Sequence, residues 1–288
     1  MQDMLQLIGT PKVKSPRMVL GFSGWMDGGE VSTGTVVYLV NQLRAVRFAE
    51  ILPSDFYIYN FPGPMELSAV FRPYVRMDEG LIKDYQEPSN TFYYEPENDL
   101  ILFIGKEPNI HWGEYVSILF QVAEQYQVRE MYFIGSVAGL VPHTREPKFS
   151  SFVNQESLKA KLAGYHVTFS NYEGPASIVT HISDYSSKRQ IPMIGLVAEI
   201  PAYVQGRNPK CIEATARRLA KLLEIEVDFE DLRIISEDLE KKLDKAVQKR
   251  AELAEHIKRL EENYDKEVFD TEMDDLKSWL VQQGIRVD

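Results

Sequence analysis

RMVLGFSGWMDGGEVSTGTVVYLVNQL, residues 17–43, is the stretch that decides the fold. It begins with an apolar run, continues through a glycine-rich loop that contains Asp27, and ends in a helix-like segment from residue 31. A strand, a tight turn and a helix in this order are typical of α/β proteins. The stretch therefore predicts an α/β domain and poses a question: does the loop bind a phosphate, or does it only turn the chain?

The same alternation continues to residue 223. Strand-like apolar runs are RMVLGF, DFYIYNF, DLILFIG, EMYFIG, HVTFSN and PMIGLVAE. Helix-like amphipathic stretches span residues 31–46, 112–126, 155–163, 178–189 and 209–223. Several of the runs are almost wholly apolar, as is typical of strands covered on both faces. The pattern predicts a mostly parallel sheet with loops gathered at the carboxyl ends of its strands, where α/β proteins bind ligands.

The acidic charge of the chain is concentrated near its C-terminus. Of the 43 acidic and 32 basic residues, 20 and 11 fall in residues 224–288, a net charge of −9, which leaves −2 for residues 1–223. Neither part carries the basic footprint of a nucleic-acid-binding protein, so no nucleic-acid partner is expected.

The rest of the composition indicates an ordinary cytoplasmic globular protein. We find no apolar run near twenty residues and no secretory signal, so no membrane association is expected. The single cysteine, Cys211, excludes an internal disulfide and fits a reducing compartment. Cys211 lies in a helix-like stretch, where a small buried residue is expected rather than a nucleophile.

An acidic helical arm is predicted to follow the α/β core, with the core at residues 1–230 and the arm at residues 231–288. From Leu232 a heptad pattern predicts a helix of some thirty residues with a narrow apolar seam, which Arg250 interrupts. A second helix is expected from Thr271 to Gly284. The seam residues that would bind either the core or a partner are Leu239, Leu243, Leu253, Ile257 and Leu260. We favour a helical hairpin packed on its own domain, with an oligomerisation arm as the alternative.

The opening loop matches neither G-x-G-x-x-G nor the P-loop pattern, and it contains no lysine that could meet a phosphate. Glycines after a strand can still bring backbone N–H groups close to an anion. The carboxylate of Asp27 would repel a phosphate, whereas aspartate is a natural cap or turn residue. We therefore favour a structural turn over phosphate binding.

Two later loops also follow apolar runs. In GKEPN, Glu107 is either a functional acid or a cap of the next helix, and His111 begins that helix. In GSVAGLVPHTREP, Ser136 does not meet the G-x-S-x-G nucleophile pattern. Arg145 in that loop would pair with an anionic ligand or with a carboxylate of the same fold. The five histidines show no metal-ligand spacing, so neither a metal nor a cofactor is expected.

These motifs, in their order and spacing, resemble the bacterial branch of the proteasome assembly chaperone two family. The resemblance rests on GFSGWMDGG, FRPYV, DLILFIGKEPN, GSVAGLVPHTREP, YEGPASIV and IPAYV followed by NPK, with a looser match at SWLVQQ. It covers nearly the whole chain. Ser23 departs from the pattern, since proline is common there.

The resemblance implies a three-layer α/β/α domain similar to nucleoside phosphorylases, homo-oligomers, and C-terminal helices as an appendage. Eukaryotic and archaeal relatives bind proteasome α subunits. Some archaeal relatives dock through a C-terminal hydrophobic-Tyr-x tripeptide, which this chain does not carry, because Val287 takes the tyrosine position.

Two functions remain open. The favoured one is a non-catalytic assembly or chaperone-like protein that binds itself and a proteasome-like or other protein complex. The alternative is an enzyme or binding protein for a nucleoside or phosphate compound, with its site at the strand-end loops. That pocket would contain Gly24, Trp25, Asp27, Gly28, Glu107, Asn109, Ser136, His143 and Arg145.

Overall fold

The computed structural model describes residues 4–53 and 55–282, and it leaves undescribed the side chains of residues 67, 271–272 and 274–282. The strands are β1 (Leu5–Leu7), β2 (Arg17–Ser23), β3 (Val46–Ile51), β4 (Tyr74–Asp78), β5 (Leu81–Gln86), β6 (Thr91–Glu95), β7 (Leu100–Lys106), β8 (Glu130–Gly139), β9 (Phe149–Val153), β10 (Thr168–Phe169) and β11 (Met193–Pro201). The α-helices are α1 (Val31–Gln42), α2 (Met65–Ala69), α3 (Trp112–Gln125), α4 (Ile178–Lys188), α5 (Pro209–Leu222), α6 (Glu230–Gln248) and α7 (Ala251–Gln282). Short 3₁₀ segments span Gly28–Glu30 and Glu156–Leu162.

Nine strands of the described chain form one mixed sheet in the order β1-β3-β6-β7-β2-β8-β11-β9-β10. Its four central strands, β7, β2, β8 and β11, are parallel to their neighbours within the group. The flanking strands β6 and β9 pair antiparallel with β7 and β11. The α/β fold with a mostly parallel sheet, predicted from the sequence, is confirmed.

Helices cover the sheet on both faces, which gives three layers. One core packs α1 and α5 on the sheet through side chains such as Leu39, Ile212 and Leu219. The other packs α3 and α4 on the opposite face through Tyr115, Leu119 and Ile182. Each fully buried aliphatic or aromatic side chain stabilises the fold by about 1.5–3 kcal/mol. Burial on two faces explains why the central strands are almost wholly apolar.

One predicted strand is wrong. DFYIYNF, residues 55–61, does not join the sheet. The chain turns at Pro53, whose carbonyl accepts the N–H of Phe56, and the side chains of Phe56 and Tyr57 are buried. The Tyr57 hydroxyl reaches the Asn90 side chain (2.8 Å) and the Lys106 carbonyl (2.6 Å). The aromatic residues therefore close the end of the sheet instead of extending it, and β3, β6 and β9, which the pattern missed, supply further strands.

The helical arm turns at a different place from the one expected. The break lies at residues 249–250, between α6 and α7, and α7 runs without interruption through Thr271. Arg250, which interrupts the seam in the sequence, lies in this turn and is exposed. The predicted helix end at Gly284 and the Val287 position lie outside the described residues. No helix in the described part combines the length and apolar character needed to cross a bilayer.

Candidate functional site

The junction between β2 and α1 is closely packed. A Cβ on Gly21 would lie 2.8 Å from Val36 Cγ2 and 2.9 Å from the Ser32 carbonyl oxygen. The buried Ser32 hydroxyl accepts the N–H of Phe22 at 3.0 Å and donates to the Ile134 carbonyl, so it ties α1 to both β2 and β8. The sequence after β2 therefore brings the helix directly onto the strand.

Asp27 caps α1. Its carboxylate accepts the backbone N–H of Thr33 at 3.0 Å and the Thr33 hydroxyl at 2.7 Å. Thr33 is the third residue of α1, whose N–H has no partner within the helix. Burial raises the pKa of Asp27 to about 6, against the lowering effect of the Thr33 hydrogen bonds. Asp27 therefore holds the first turn of α1 from the loop, although the N-cap residue of that helix is Glu30.

Gly28 and Ser136 bind each other. The Ser136 hydroxyl donates to the Gly28 carbonyl at 2.7 Å, and the Ser136 N–H donates to the Met26 carbonyl at 2.9 Å. The Ser136 side chain is fully buried. It therefore fastens the loop after β2 to β8 and is closed to solvent as a nucleophile.

Glu107 joins three elements at the carboxyl end of β7. Its two carboxylate oxygens accept the N–H of Trp25 at 2.9 Å and the N–H of Ile178 at 2.8 Å. A carboxylate is favoured at the N-terminus of α4, where Ile178 is the first residue. Gly24 has a φ of 134°, and a Cβ there would lie 2.9 Å from Glu107 Cβ. Glu107 is thus a cap, as one reading of the sequence proposed, although of α4 and not of the next helix.

Asn109 and His111 follow Glu107 and are exposed. The Asn109 side-chain oxygen accepts the backbone N–H of Ile58 at 3.1 Å. The backbone N–H of Asn109 donates to the Phe56 carbonyl at 2.9 Å. The His111 ring lies 3.7 Å from the Glu114 carboxylate, one turn into α3. Both residues have local structural partners.

His143 faces the helical arm. The Tyr203 hydroxyl accepts the His143 N–H at 2.7 Å and lies 2.7 Å from Nδ1. The other ring nitrogen, Nε2, lies 3.1 Å from the Asp244 carboxylate of α6, so the imidazole joins Tyr203 to the arm. Lys210 closes this corner, because its amine donates to the His143 carbonyl (2.7 Å) and to Glu240 of α6 (2.8 Å).

The residues after His143 bind α7. Arg145 makes two hydrogen bonds of 2.8 Å to the carboxylate of Asp265, which raises the pKa of Arg145. Thr144 donates to Glu261, and Lys148 pairs with Glu267. The loop around Arg145 therefore forms a basic surface that binds the acidic arm of the same chain.

The predicted seam of the arm faces its own chain. Ile257 is buried, and Leu239, Leu243, Leu253 and Leu260 are half-buried. Leu239 and Leu243 line a void of about 20 Å³ together with His143 and Arg145. A void of this size has room for about one water molecule.

The predicted pocket residues do not meet in one cavity. Gly24, Trp25, Glu107 and Asn109 line an open cavity of about 490 Å³, whereas His143 and Arg145 line the void beneath the arm. Sequence reasoning missed Lys106, which lies beside Glu107 in that larger cavity, and Tyr203, the partner of His143. Lys106 belongs to the motif GKEPN and Tyr203 to the motif IPAYV, but neither residue was predicted to lie in the pocket.

Two further expectations concern reactive groups. Burial raises the pKa of the Cys211 thiol to about 12, so this cysteine is a protonated core residue. Within residues 4–53 and 55–282, no three His, Cys, Asp or Glu side chains are placed to hold a metal ion together.

Comparison with known proteins gives a family. Residues 21–247 match the PAC2 family. A PAC2 family protein from Streptomyces avermitilis MA superimposes with a TM-score of 0.72 at 26% identity, over 84% of this chain and 99% of its own. The same values hold for a proteasome-assembly chaperone homologue of Mycobacterium tuberculosis. PbaB of Pyrococcus furiosus, an archaeal proteasome activator, shares the fold with a TM-score of 0.62 at 20% identity, over 84% of this chain and 97% of its own. A comparison with curated proteins gives no match.

Proposed function

The chain belongs to the PAC2 family, and from that membership and its surface we propose that it is a non-catalytic assembly or chaperone-like protein. The resemblance drawn from the sequence motifs is thereby confirmed at the level of the family. A shared fold alone does not give a function. The proposal is supported by the use of Asp27, Glu107 and His143, the strand-end groups suited to chemistry, in internal hydrogen bonds.

The observation that carries the proposal is the hairpin of β4 and β5. Among the described strands, β4 and β5 pair only with each other, and they lie outside the main sheet. Its exposed large apolar side chains are Tyr74, Val75, Met77, Leu81, Ile82 and Tyr85, of which Ile82 is 63% exposed. A two-stranded hairpin is marginally stable in water, and a clustered apolar surface marks an interaction site.

We propose that a second copy of the chain covers this hairpin. Across its two strands Val75 pairs with Tyr85 and Met77 with Ile82, whereas Arg76 pairs with Asp84. The hairpin thus combines apolar contacts with charges of both signs, which suits a self-complementary interface. The arm, with 16 acidic and 11 basic residues over residues 231–288 and thus a net charge of −5, would repel a second arm.

Native mass spectrometry of the full chain tests the homo-oligomer. Ile82→Asp should convert oligomers to monomers, because it places a charge in the apolar interface. Ile234→Asp is the matched control, since Ile234 is 59% exposed on α6 and lies outside the hairpin. A monomeric wild-type chain, or oligomers lost only with Ile234→Asp, would reject the hairpin interface.

The partner complex is the second part of the proposal. A proteasome-like or other multisubunit complex in the cytoplasm is proposed from the family, with neither nucleic acid nor membrane as a partner. Affinity purification from source cells with wild type, Ile82→Asp and Ile234→Asp checks this part. We expect a stoichiometric complex that wild type and Ile234→Asp retain and that Ile82→Asp loses, because the homo-oligomer held by the hairpin is the form proposed to bind the complex. If no protein copurifies stoichiometrically with wild type, the assembly function is wrong.

A further inference from the structure

The 490 Å³ cavity lies where the sheet changes the face on which its helices pack. β2 and β7 are adjacent and parallel. α1, which follows β2, packs on one face, and α3, which follows β7, packs on the other. In open α/β sheets the crevice at such a reversal, outside the carboxyl ends of the strands, is the usual place of ligand binding. We call this cavity, with Trp25, Phe71, Lys106, Glu107 and Trp112 among its lining, the strand-end crevice.

Aromatic side chains form much of its wall. The Trp112 indole N–H donates to the Pro108 carbonyl at 2.7 Å, which fixes the ring. Phe71 stacks on Phe61 with ring centres 5.1 Å apart. Trp25 is 65% exposed, while its backbone is fixed by Glu107. Aromatic walls favour a planar ring, and the volume lies in the range of small-molecule sites.

Lys106 supplies a positive charge. It is half-buried at the last position of β7, and it also lines an adjoining cavity of about 300 Å³. Burial lowers the pKa of its amine. The amine of Lys106 lies over the face of the Tyr57 ring, 5.9 Å from the ring centre. A half-buried cation that forms no ion pair within the described residues is suited to receive an anion.

Glu107 limits the charge of that anion. Both of its oxygens accept backbone N–H groups, which holds the carboxylate in place at the edge of the crevice. Its negative charge remains beside the crevice and disfavours a second negative group on the ligand. Asn109 adds a neutral polar group to the lining.

We propose that the strand-end crevice binds a small planar aromatic monoanion, with its ring on Trp25 and Trp112 and its negative group on Lys106. This site differs from the phosphate pocket considered from the sequence. It uses neither Asp27 nor Arg145, and its cation comes from the strand beside the glycine loop. It is independent of the proposed assembly function, which rests on the β4–β5 hairpin.

Nuclear magnetic resonance of the full chain tests the proposal, with indole-3-acetate as the probe. Trp279→Phe is used as the background, because it leaves Trp25 and Trp112 as the tryptophans that give indole N–H signals. We expect indole-3-acetate to shift both signals saturably. Neutral indole should bind more weakly, and cationic tryptamine should bind weakest of the three.

Two variants test whether Lys106 binds the negative group of the ligand and whether Trp25 binds its ring. Lys106→Met should weaken indole-3-acetate binding about tenfold or more and leave indole binding unchanged. Its backbone bonds to Asn90 and Tyr57 remain available, so the fold should hold. Trp25→Ala removes an exposed ring and should weaken both ligands. Lys12→Met is the matched control, since Lys12 is exposed and precedes β2, at the opposite end of that strand from the crevice.

Several results would overturn the site. These are the absence of saturable shifts with indole-3-acetate, equal binding of indole-3-acetate and tryptamine, and equal affinity of the Lys106→Met and Lys12→Met proteins for indole-3-acetate. Each would leave the hairpin experiments unaffected.

Discussion

At the scale of single residues, the polar groups at the strand ends hold the chain's own backbone. Glu107 caps α4, Asp27 caps α1, and Ser136 fastens the glycine loop. Buried polar groups need partners, and loops have unpaired N–H groups to offer. The same residue types that signal chemistry in a sequence therefore serve here to fix the loops.

Gly21→Ala should destabilise the fold by about 1–3 kcal/mol, the usual cost of overpacking a core. The added methyl would meet Val36 and the Ser32 carbonyl, so α1 would have to move away from β2. Gly113→Ala is the control. It lies in α3 with nothing within 4 Å of the new Cβ, and alanine there should stabilise by up to about 1 kcal/mol. Urea unfolding measures both, and an equal effect of the two would contradict the packing argument.

Asp27→Asn should change how stability depends on pH. The folded pKa of Asp27 is about 6 against an ordinary value of 3.8, so between these values the folded chain binds more of this proton than the unfolded chain. Rising pH across that window therefore lowers wild-type stability through this group, by up to about 3 kcal/mol. Asparagine keeps the shape and does not titrate.

Unfolding curves at pH 4 and pH 7 should thus show the Asn variant gaining stability relative to wild type at the higher pH. Carboxylates shared by both proteins cancel in the difference between them. A difference that stays constant from pH 4 to pH 7 would show that Asp27 does not carry this titration.

At the scale of elements, the arm is held by complementary charge. His143, Arg145, Lys148 and Lys210 of the core face acidic residues of α6 and α7. Exposed ion pairs are individually weak and are screened by salt. The apolar seam adds the buried Ile257 and half-buried leucines. The arm is therefore expected to be the least stable part of the described chain.

Hydrogen exchange checks this expectation. Arg145→Glu should speed exchange in α7, because it sets a carboxylate against Asp265, and Asp265→Arg in the same chain should restore protection. High salt should speed exchange in wild-type α7 more than in α5. Arg189→Glu, which breaks the pair with Glu124 between α4 and α3, is the control and should leave α7 unchanged. Fast exchange in α7 that the double variant fails to reverse would argue against the ion pair.

At the scale of the whole molecule, the boundary between core and arm, placed after residue 230, remains a prediction. Leu232 and Ser236 of α6 are buried, and the Tyr38 hydroxyl contacts Asp228 and Asp231. These contacts join the first turns of α6 to α1. The turn at residues 249–250 is a second place where the chain would separate.

Two truncated chains distinguish these boundaries. A chain ending at residue 248 should keep a cooperative unfolding transition close to that of the full chain. One ending at residue 230 should be less stable by several kcal/mol, since burial of two or three apolar side chains is lost. Chemical denaturation followed by circular dichroism gives the comparison. If the two truncated chains are equally stable, the boundary at residue 230 holds.

Much of the fold could be predicted because it depends on local periodicity. The helices α1, α3, α4 and α5 begin where the amphipathic pattern begins, and four of the apolar runs became β2, β7, β8 and β11. The exposed or antiparallel strands β3, β6 and β9 lack a continuous apolar run, so pattern reasoning passed over them. DFYIYNF was wrongly predicted to be a strand because a run of aromatic residues that packs against the end of a sheet has the same composition as a strand.

The sequence by itself determined the α/β class, the family and the acidic arm, because periodicity, motif order and charge are properties of the chain read in order. Only the tertiary structure decided what the polar loops do. It placed Glu107 on the N-terminus of α4 and Arg145 on Asp265, and it left Lys106 in an aromatic crevice with no ion pair among the described residues. Whether a charged side chain caps a helix, binds another element or binds a ligand depends on which distant residue the fold brings within hydrogen-bonding distance. Glu107 and Ile178 are 71 residues apart, and Arg145 and Asp265 are 120 residues apart. At such separations the sequence has no local pattern that predicts the contact.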